Sequence, residues 1–178
     1  MRAPRLARLL RIAYTWLPRG SRLRRDVLVI AARGGLEAFN RRDWPVFVDQ
    51  YAPDAEYLLM PGPGALLAPD LRNRYVGPAG VREFFHAWDD AWESFEAHPD
   101  EVIDMGNRYL ILLRLRCRAR GSGLEFEQRA AQMYEWERGM IVRAELYGDQ
   151  ADALAALGLA ASPTRPVGKP LLSDADCP

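Results

Sequence analysis

At 178 residues, with 49% hydrophobic and 27% charged residues, the chain has the composition of one ordinary globular domain, not that of a fibrous or disordered polymer. Its two cysteines, Cys117 and Cys177, exclude a disulfide-stapled secreted scaffold, and no apolar run approaches the roughly 20 residues that span a bilayer, so a cytoplasmic protein is expected. The formal net charge of zero hides an asymmetry: residues 1–25 hold eight arginines and no acidic residue, so the remainder is acidic by the same margin.

The basic extension, residues 1–26, carries Leu6, Leu9, Leu10, Ala13 and Leu17 at helical spacing, with Arg5 and Arg8 off that stripe. Arg8 and Arg11 interrupt the continuous apolar centre that a secretory signal needs. Three readings stand: a disordered or docking extension, an arm that touches a membrane surface or a polyanion, or a start codon assigned too early. Nucleic-acid binding would rest on the arm alone, because no basic stripe interleaved with aromatic residues follows it, and is not expected.

The folded domain is expected over residues 27–158. Leu28, Ala31, Ala32, Gly35 and Phe39 share one helical face, and Gly34 and Gly35, each costing about 1 kcal/mol inside a helix, suggest close packing against a neighbour. Asp43 before Trp44 and Pro45 reads as the N-cap of a second short helix with Phe47 and Tyr51 inward, ending at Pro53. Asp54 to Met60 alternates as a strand with Ala55, Tyr57 and Leu59 on one face. The stretch PGPGALLAPDLRNRYVG is too rich in proline and glycine for a regular element and reads as a long loop, a lid or an insertion. A long helix follows from Pro78, with Val81, Phe84, Phe85, Trp88, Trp92 and Phe95 on an aromatic face and Arg82, His86, Asp89 and Glu93 on the wet one. Glu96 to Asp104 is a modest strand before the Met105, Gly106, Asn107 turn.

Leu110 to Tyr147 alternates as three antiparallel strands. With Gly121 and Ser122 as a two-residue loop, Arg118 stands opposite Glu125, Arg116 opposite Glu127, Cys117 opposite Phe126 and Leu115 opposite Gln128. One face then holds Tyr109, Ile111, Leu113, Leu115, Cys117, Leu124, Phe126, Gln128, Ala130, Gln132, Tyr134 and Trp136, and the other the arginines and glutamates. For the second turn a three-residue loop, Glu137 to Gly139, spares Arg138 a positive φ and brings Val142, Ala144 and Leu146 to the apolar face. Asp149 caps a last helix, Gln150 to Leu157, closed by Gly158, and residues 159–178 read as a disordered tail.

The polar positions on the apolar face are Tyr109, Gln128, Gln132 and Tyr134, a pattern that suits a ligand pocket with a few convergent hydrogen-bonding groups; a simply filled core in which each finds a backbone partner is the other reading. No Asp, Glu or His falls on that face, so general acid or base chemistry would have to come from the covering elements, with His86 as the candidate, although it lies off the aromatic stripe. His98 precedes Pro99 in an edge-like strand. Neither histidine stands beside a carboxylate at ligand spacing, so no metal site is expected. Gly-rich phosphate loops, nucleophile elbows and CxxC pairs are absent from the sequence, and no cofactor is expected.

The order of these elements, with AFNRRDWPVFVDQYAPDAEY, YVGPAGVREFF and EFEQRAAQMYEWERGMIVRAELYGDQADAL, resembles the SnoaL-like branch of the nuclear transport factor 2-like superfamily over Val27 to Leu157. The resemblance implies an α+β fold in which a curved antiparallel sheet is wrapped into a cone by N-terminal helices and a long central helix, with a pocket inside and a homodimer formed through the sheet. The family includes polyketide cyclases, ketosteroid isomerases, dehydratases, epoxide hydrolases and proteins with no known reaction, so no single activity is implied. Where ketosteroid isomerases carry a base Asp and an oxygen-holding Tyr, this chain has Leu59 and Gly35. Many SnoaL-like sequences place His where this one has Gln132, an amide that orients a ligand without titrating. The expectation is a protein that binds a small apolar, polyketide- or steroid-like molecule, with Gln128, Gln132 and Tyr134 at its polar end and Tyr57 and Trp88 as apolar walls. The alternatives are a cofactor-free isomerase, cyclase or dehydratase, and a dimeric interaction module without a ligand.

Overall fold

A computed structural model describes residues 14, 17, 18, 20–62 and 71–159. Ser21 caps the first helix, α1 (Arg22–Asn40), by accepting the Arg24 N–H at 3.2 Å. The turn at Asp43 opens α2 (Trp44–Val48) as expected. Then follow β1 (Tyr51–Leu59), β2 (Arg74–Val76), α3 (Gly77–Ala91), β3 (Trp92–Asp104), β4 (Arg108–Ala119), β5 (Glu125–Glu137), β6 (Met140–Tyr147) and α4 (Gln150–Ala156). The strands form one curved, unclosed sheet in the order β2-β1-β6-β5-β4-β3. Its pairings are antiparallel except that of β1 with β6, which is parallel. No described helix is long and apolar enough to cross a membrane.

The main core lies between the sheet's inner face and α1, α2 and α3. The outer face differs from expectation: Leu110, Leu112, Ala131, Met133 and Tyr147 make a second apolar cluster with Ala153 of α4. Charged residues flank that cluster. Glu145, buried on the outer face, accepts from Arg143 Nε and the Tyr147 hydroxyl, each at 2.6 Å, and Arg143 also reaches Glu56 at 3.2 Å.

The β4–β5 register agrees with the sequence arithmetic, with Arg118 opposite Glu125, Arg116 opposite Glu127 and Leu115 opposite Gln128. Its turn is longer than expected. Ala119 N–H bonds to Leu124 O, Gly123 N–H bonds back to Ala119 O, and Gly121 and Gly123 take positive φ, so four residues span the gap while the sum that sets the register is unchanged. Leu124, expected on the apolar face, closes this loop opposite Ala119 and is exposed.

The β5–β6 turn also differs. Glu137 pairs with Met140, and both Arg138 (φ 49°) and Gly139 (φ 77°) are left-handed, so the loop has two residues, a hairpin geometry that suits the twist of the strands. Taken alone, this loop would set Arg143 opposite Tyr134. A register shift between Trp136↔Ile141 and Glu135↔Arg143 leaves Val142 as an extra residue, and this bulge returns Ala144 and Leu146 to the inner face opposite Tyr134 and Gln132. Ile141, not Val142, joins Leu146 on the cavity wall.

Other departures follow from breaks in periodicity. α3 ends at Ala91, and Trp92 and Phe95, expected on that helix, begin β3 and are buried from the strand. The second helix stops at Val48, so Tyr51 belongs to β1, which runs on through Pro53 where its pairing with β6 is interrupted between Tyr51 and Glu56. Within the expected long loop, Arg74 to Val76 forms β2 on β1, whereas residues 63–70 lie outside the described residues. Gly34 and Gly35 do not mark close packing, because a Cβ at either would meet nothing within 4 Å.

α1 begins at Arg22, ahead of the expected Val27, because Arg24 is a core residue. Its guanidinium uses all five N–H groups: Nε to Asp104 Oδ2 at 2.7 Å, Nη1 to the Tyr14 and Leu17 carbonyls, and Nη2 to Asp104 Oδ1 and the Gly106 carbonyl at 2.6 Å. Tyr14 donates its hydroxyl to Asp104 at 2.6 Å and packs edge-on against Trp136. Burial opposes ionisation of Asp104, but the hydrogen bonds from Arg24, Tyr14 and the Gly106 N–H outweigh it and hold the carboxyl below its ordinary range. The stripe of the extension from Leu6 to Ala13 and the tail beyond residue 159 lie outside the described residues.

Two outcomes are expected. The depressed folded-state pKa of Asp104 contributes stability that is complete above the ordinary carboxylate value, about 4, and is lost as pH falls through the folded value. Asp104→Asn should therefore melt lower than the parent at pH 7, with the gap closing as pH drops below 4 in thermal denaturation. Gly77, at φ 64°, faces the Pro53 carbonyl oxygen so closely that a methyl group would collide with it. Gly77→Ala should cost about 2–3 kcal/mol in urea unfolding.

Candidate ligand cavity

Between the helices and the inner face of the sheet lies a cavity of about 60 Å³. Space of that size admits roughly four to six water-sized groups. α1 contributes Ala31, Ala32, Gly35, Leu36 and Phe39; α2 and the residues after it contribute Phe47 and Gln50; α3 contributes Phe84, Phe85 and Trp88. The sheet supplies Tyr57, Ala97, Tyr109, Ile111, Leu113, Leu115, Gln132, Tyr134, Trp136, Ile141 and Leu146. The aromatic side of this wall is one packed assembly: the Tyr57 and Phe84 rings are 4.5 Å apart, Tyr109 stacks on Tyr134 at 5.1 Å, and Trp44 stacks behind Phe85 at 4.4 Å.

Asn40 and Asp89 hold the covering helices in place. The Asn40 side chain pairs with both backbone groups of Ala97, accepting its N–H at 2.8 Å and donating to its carbonyl at 3.0 Å, so the end of α1 is pinned to edge strand β3. Asp89, expected on the wet face of α3, accepts the Trp44 indole N–H at 2.7 Å and ties α2 to α3.

Of the residues singled out in the sequence, Tyr57, Trp88, Tyr109, Gln132 and Tyr134 all meet at this cavity. Tyr57 is more than an apolar wall, since its hydroxyl donates to Gln132 Oε1 at 3.1 Å. Gln128 lies on the same face but outside the cavity, with Nε2 on the Gly148 carbonyl at 2.6 Å. The reason is depth: β5 outruns the helices that cover it, and its side chains become fully buried only from Ala130 onward. His86 is exposed on α3 and does not reach the cavity, so it is not placed to act as a base there. His98 contacts Glu96 at 3.1 Å on the edge strand. Tyr51 was missed because Pro53 made the preceding residues read as helix; it is buried beside Tyr57 and interacts with the Tyr134 hydroxyl.

Burial pushes the hydroxyls of Tyr51, Tyr57 and Tyr134 well above the ordinary tyrosine range, so they remain protonated. Among the described residues lining the cavity there is no Asp, Glu, His, Lys or Arg. Burial likewise pushes the Cys117 thiol up to about 12, which leaves it a poor nucleophile. No three His, Cys, Asp or Glu side chains among the described residues gather closely enough to hold a metal ion. The arrangement can enclose and orient an uncharged molecule through protonated hydroxyls, an amide and aromatic faces.

A curved sheet closed by helices around an internal cavity defines the nuclear transport factor 2-like class of α+β proteins. Residues 32–144 match the SnoaL-like domain family, and the chain belongs to it. Among solved structures it is similar to an NTF2-like protein of unknown function from Burkholderia pseudomallei, with 26% identity over 74% of this chain and 95% of that one and a TM-score of 0.59. An NTF2-like protein from Burkholderia thailandensis shares 25% identity over 74% and 95% of the two chains, with a TM-score of 0.56. TerC, co-crystallised with polyporic acid, shares the fold at 21% identity, covering 75% of this chain and 98% of its own, with a TM-score of 0.59. No curated protein matches the chain.

The open space beside Gly35 has a direct consequence for stability. Gly35→Ala should raise it by about 1 kcal/mol in chemical denaturation, because the added methyl meets no atom and the glycine penalty in mid-helix is removed.

Proposed function

We propose that this chain binds a small, uncharged, largely apolar molecule inside the cone, with Gln132 and Tyr134 facing its polar end. The observation that carries this reading is the chemistry of the wall: aromatic and aliphatic side chains with neutral hydrogen-bonding groups, and no group among the described lining residues that titrates near neutral pH. Such a wall favours desolvated apolar surface and rewards a few polar contacts, but offers no counter-charge to an ion. Its present volume suits a compact molecule. A polyketide- or steroid-like ligand shares the chemistry of the wall and requires the helices to move apart from the sheet to admit it.

The test is a thermal-shift series with neutral one- and two-ring fragments on the parent and on Gly35→Leu, whose side chain fills the space beside α1. A fragment at one hundred times its Kd stabilises the folded state by about 2.7 kcal/mol, a rise of about 5–11 °C in Tm for a chain of this size. The rise should vanish in Gly35→Leu. A series in which no fragment raises Tm at saturation, or in which the variant responds equally, removes the reading.

A further inference from the structure

The end of the basic extension is tied to one side of α1. Arg24 Nη1 donates to the carbonyls of Tyr14 and Leu17, at 3.2 and 3.0 Å, and the guanidinium lies 4.0 Å from the centre of the Tyr14 ring. Tyr14 is in helical conformation, and the Leu17 N–H reaches back to its carbonyl at 3.2 Å. The chain then reverses: the Ser21 N–H bonds to the Pro18 carbonyl, Gly20 takes a φ of 83°, and α1 starts at Arg22. A helical turn, a short reversal and a second helix are the start of an antiparallel helical hairpin. The sequence of the extension continues the pattern, because Leu6, Leu9, Leu10, Ala13 and Leu17 fall on one helical stripe.

Arg24 also indicates the side of α1 that a preceding helix follows. Val27 and Ala31 stand one and two turns further along the helix and share the side from which Arg24 reaches the extension. Both are half-buried, and Ala31 lines the cavity. Residues 1–13 lie outside the described residues; as a helix their reach is about 20 Å, against about 11 Å along α1 from Arg24 to Ala31. Charge favours the same contact, since residues 1–25 carry eight arginines and no acidic residue while the rest of the chain is acidic by that margin. We infer that residues 1–13 fold back along α1 as the first helix of this hairpin, set Leu6 and Leu10 against Val27 and Ala31, and cover the cavity on the side that Ala31 lines. The extension is then a part of the domain that shields its interior from water.

Alkylation of an introduced thiol by iodoacetamide tests this on the full chain and needs no ligand, so its outcome is independent of the binding reading. With Cys177→Ser in place and Cys117 buried, Ala31→Cys reports the covered side of α1. Arg33→Cys, at an exposed position about 200° further round the helix, reports the open side. Leu6→Asp combined with Leu10→Asp should speed alkylation at position 31 about tenfold, as the docked fraction falls, and leave position 33 within about twofold. Should that double variant not fold, Leu10→Ala carries the same comparison with a smaller acceleration. Equal rates at position 31 with and without the arm substitutions overturn the inference. It is equally overturned by protection that grows with protein concentration, which assigns the contact to the extension of a second copy, or by protection that arises only with phosphatidylglycerol vesicles, which assigns it to a lipid surface.

Discussion

Side-chain alternation across β5 and β6 is the constraint on which the cavity depends. Tyr134 and Gln132 can face the helices together with Ala144 and Leu146 only if the two strands agree in parity, and the two-residue turn at Arg138 and Gly139 by itself sets the opposite parity. The extra residue at Val142 restores it. Without that bulge, Arg143 and Glu145 would enter the apolar interior and the wall would carry charge, a far costlier arrangement than the left-handed backbone at Arg138. The hairpin thus accepts an unpaired extra residue at Val142 to keep its buried face neutral.

A second ordering element acts at the end of the cone. Arg24 satisfies every donor it has by joining Asp104, the Gly106 turn and two carbonyls of the preceding segment, and Tyr14 closes the group against Trp136, itself part of the cavity wall. The basic extension is therefore not wholly separate from the domain. The Tyr14 hydroxyl is bound to Asp104 of the sheet, and the Tyr14 and Leu17 carbonyls to Arg24 of α1, in a charge-assisted network that is strong because the guanidinium is fully hydrogen-bonded as well as paired. The same network fixes the β3–β4 turn, and through it the start of the strand that supplies Tyr109.

The wall of the cavity directs without charge. An amide and tyrosines that stay protonated give direction without charge, and the bare helix position at Gly35 keeps volume open where any side chain would occupy it. In this family's fold the same interior can host different chemistries, so what this chain does is decided by these few lining groups rather than by the architecture.

Much of this was legible in the sequence. The β4–β5 register, the Asp43 and Asp149 caps, the inner-face alternation and the absence of ionisable residues on that face all follow from spacing, because local periodicity reports which side of an element faces the core. What spacing cannot report is depth and continuity. It placed Gln128 and Gln132 on one face with equal weight, although only Gln132 lies under the helices; it carried the aromatic stripe of α3 through Trp92 and Phe95, because a change from helix to strand keeps both buried; and it could not see the bulge at Val142. The open space beside Gly35 is likewise a product of assembly. It depends on what other elements bring within reach, and only the tertiary structure decides that.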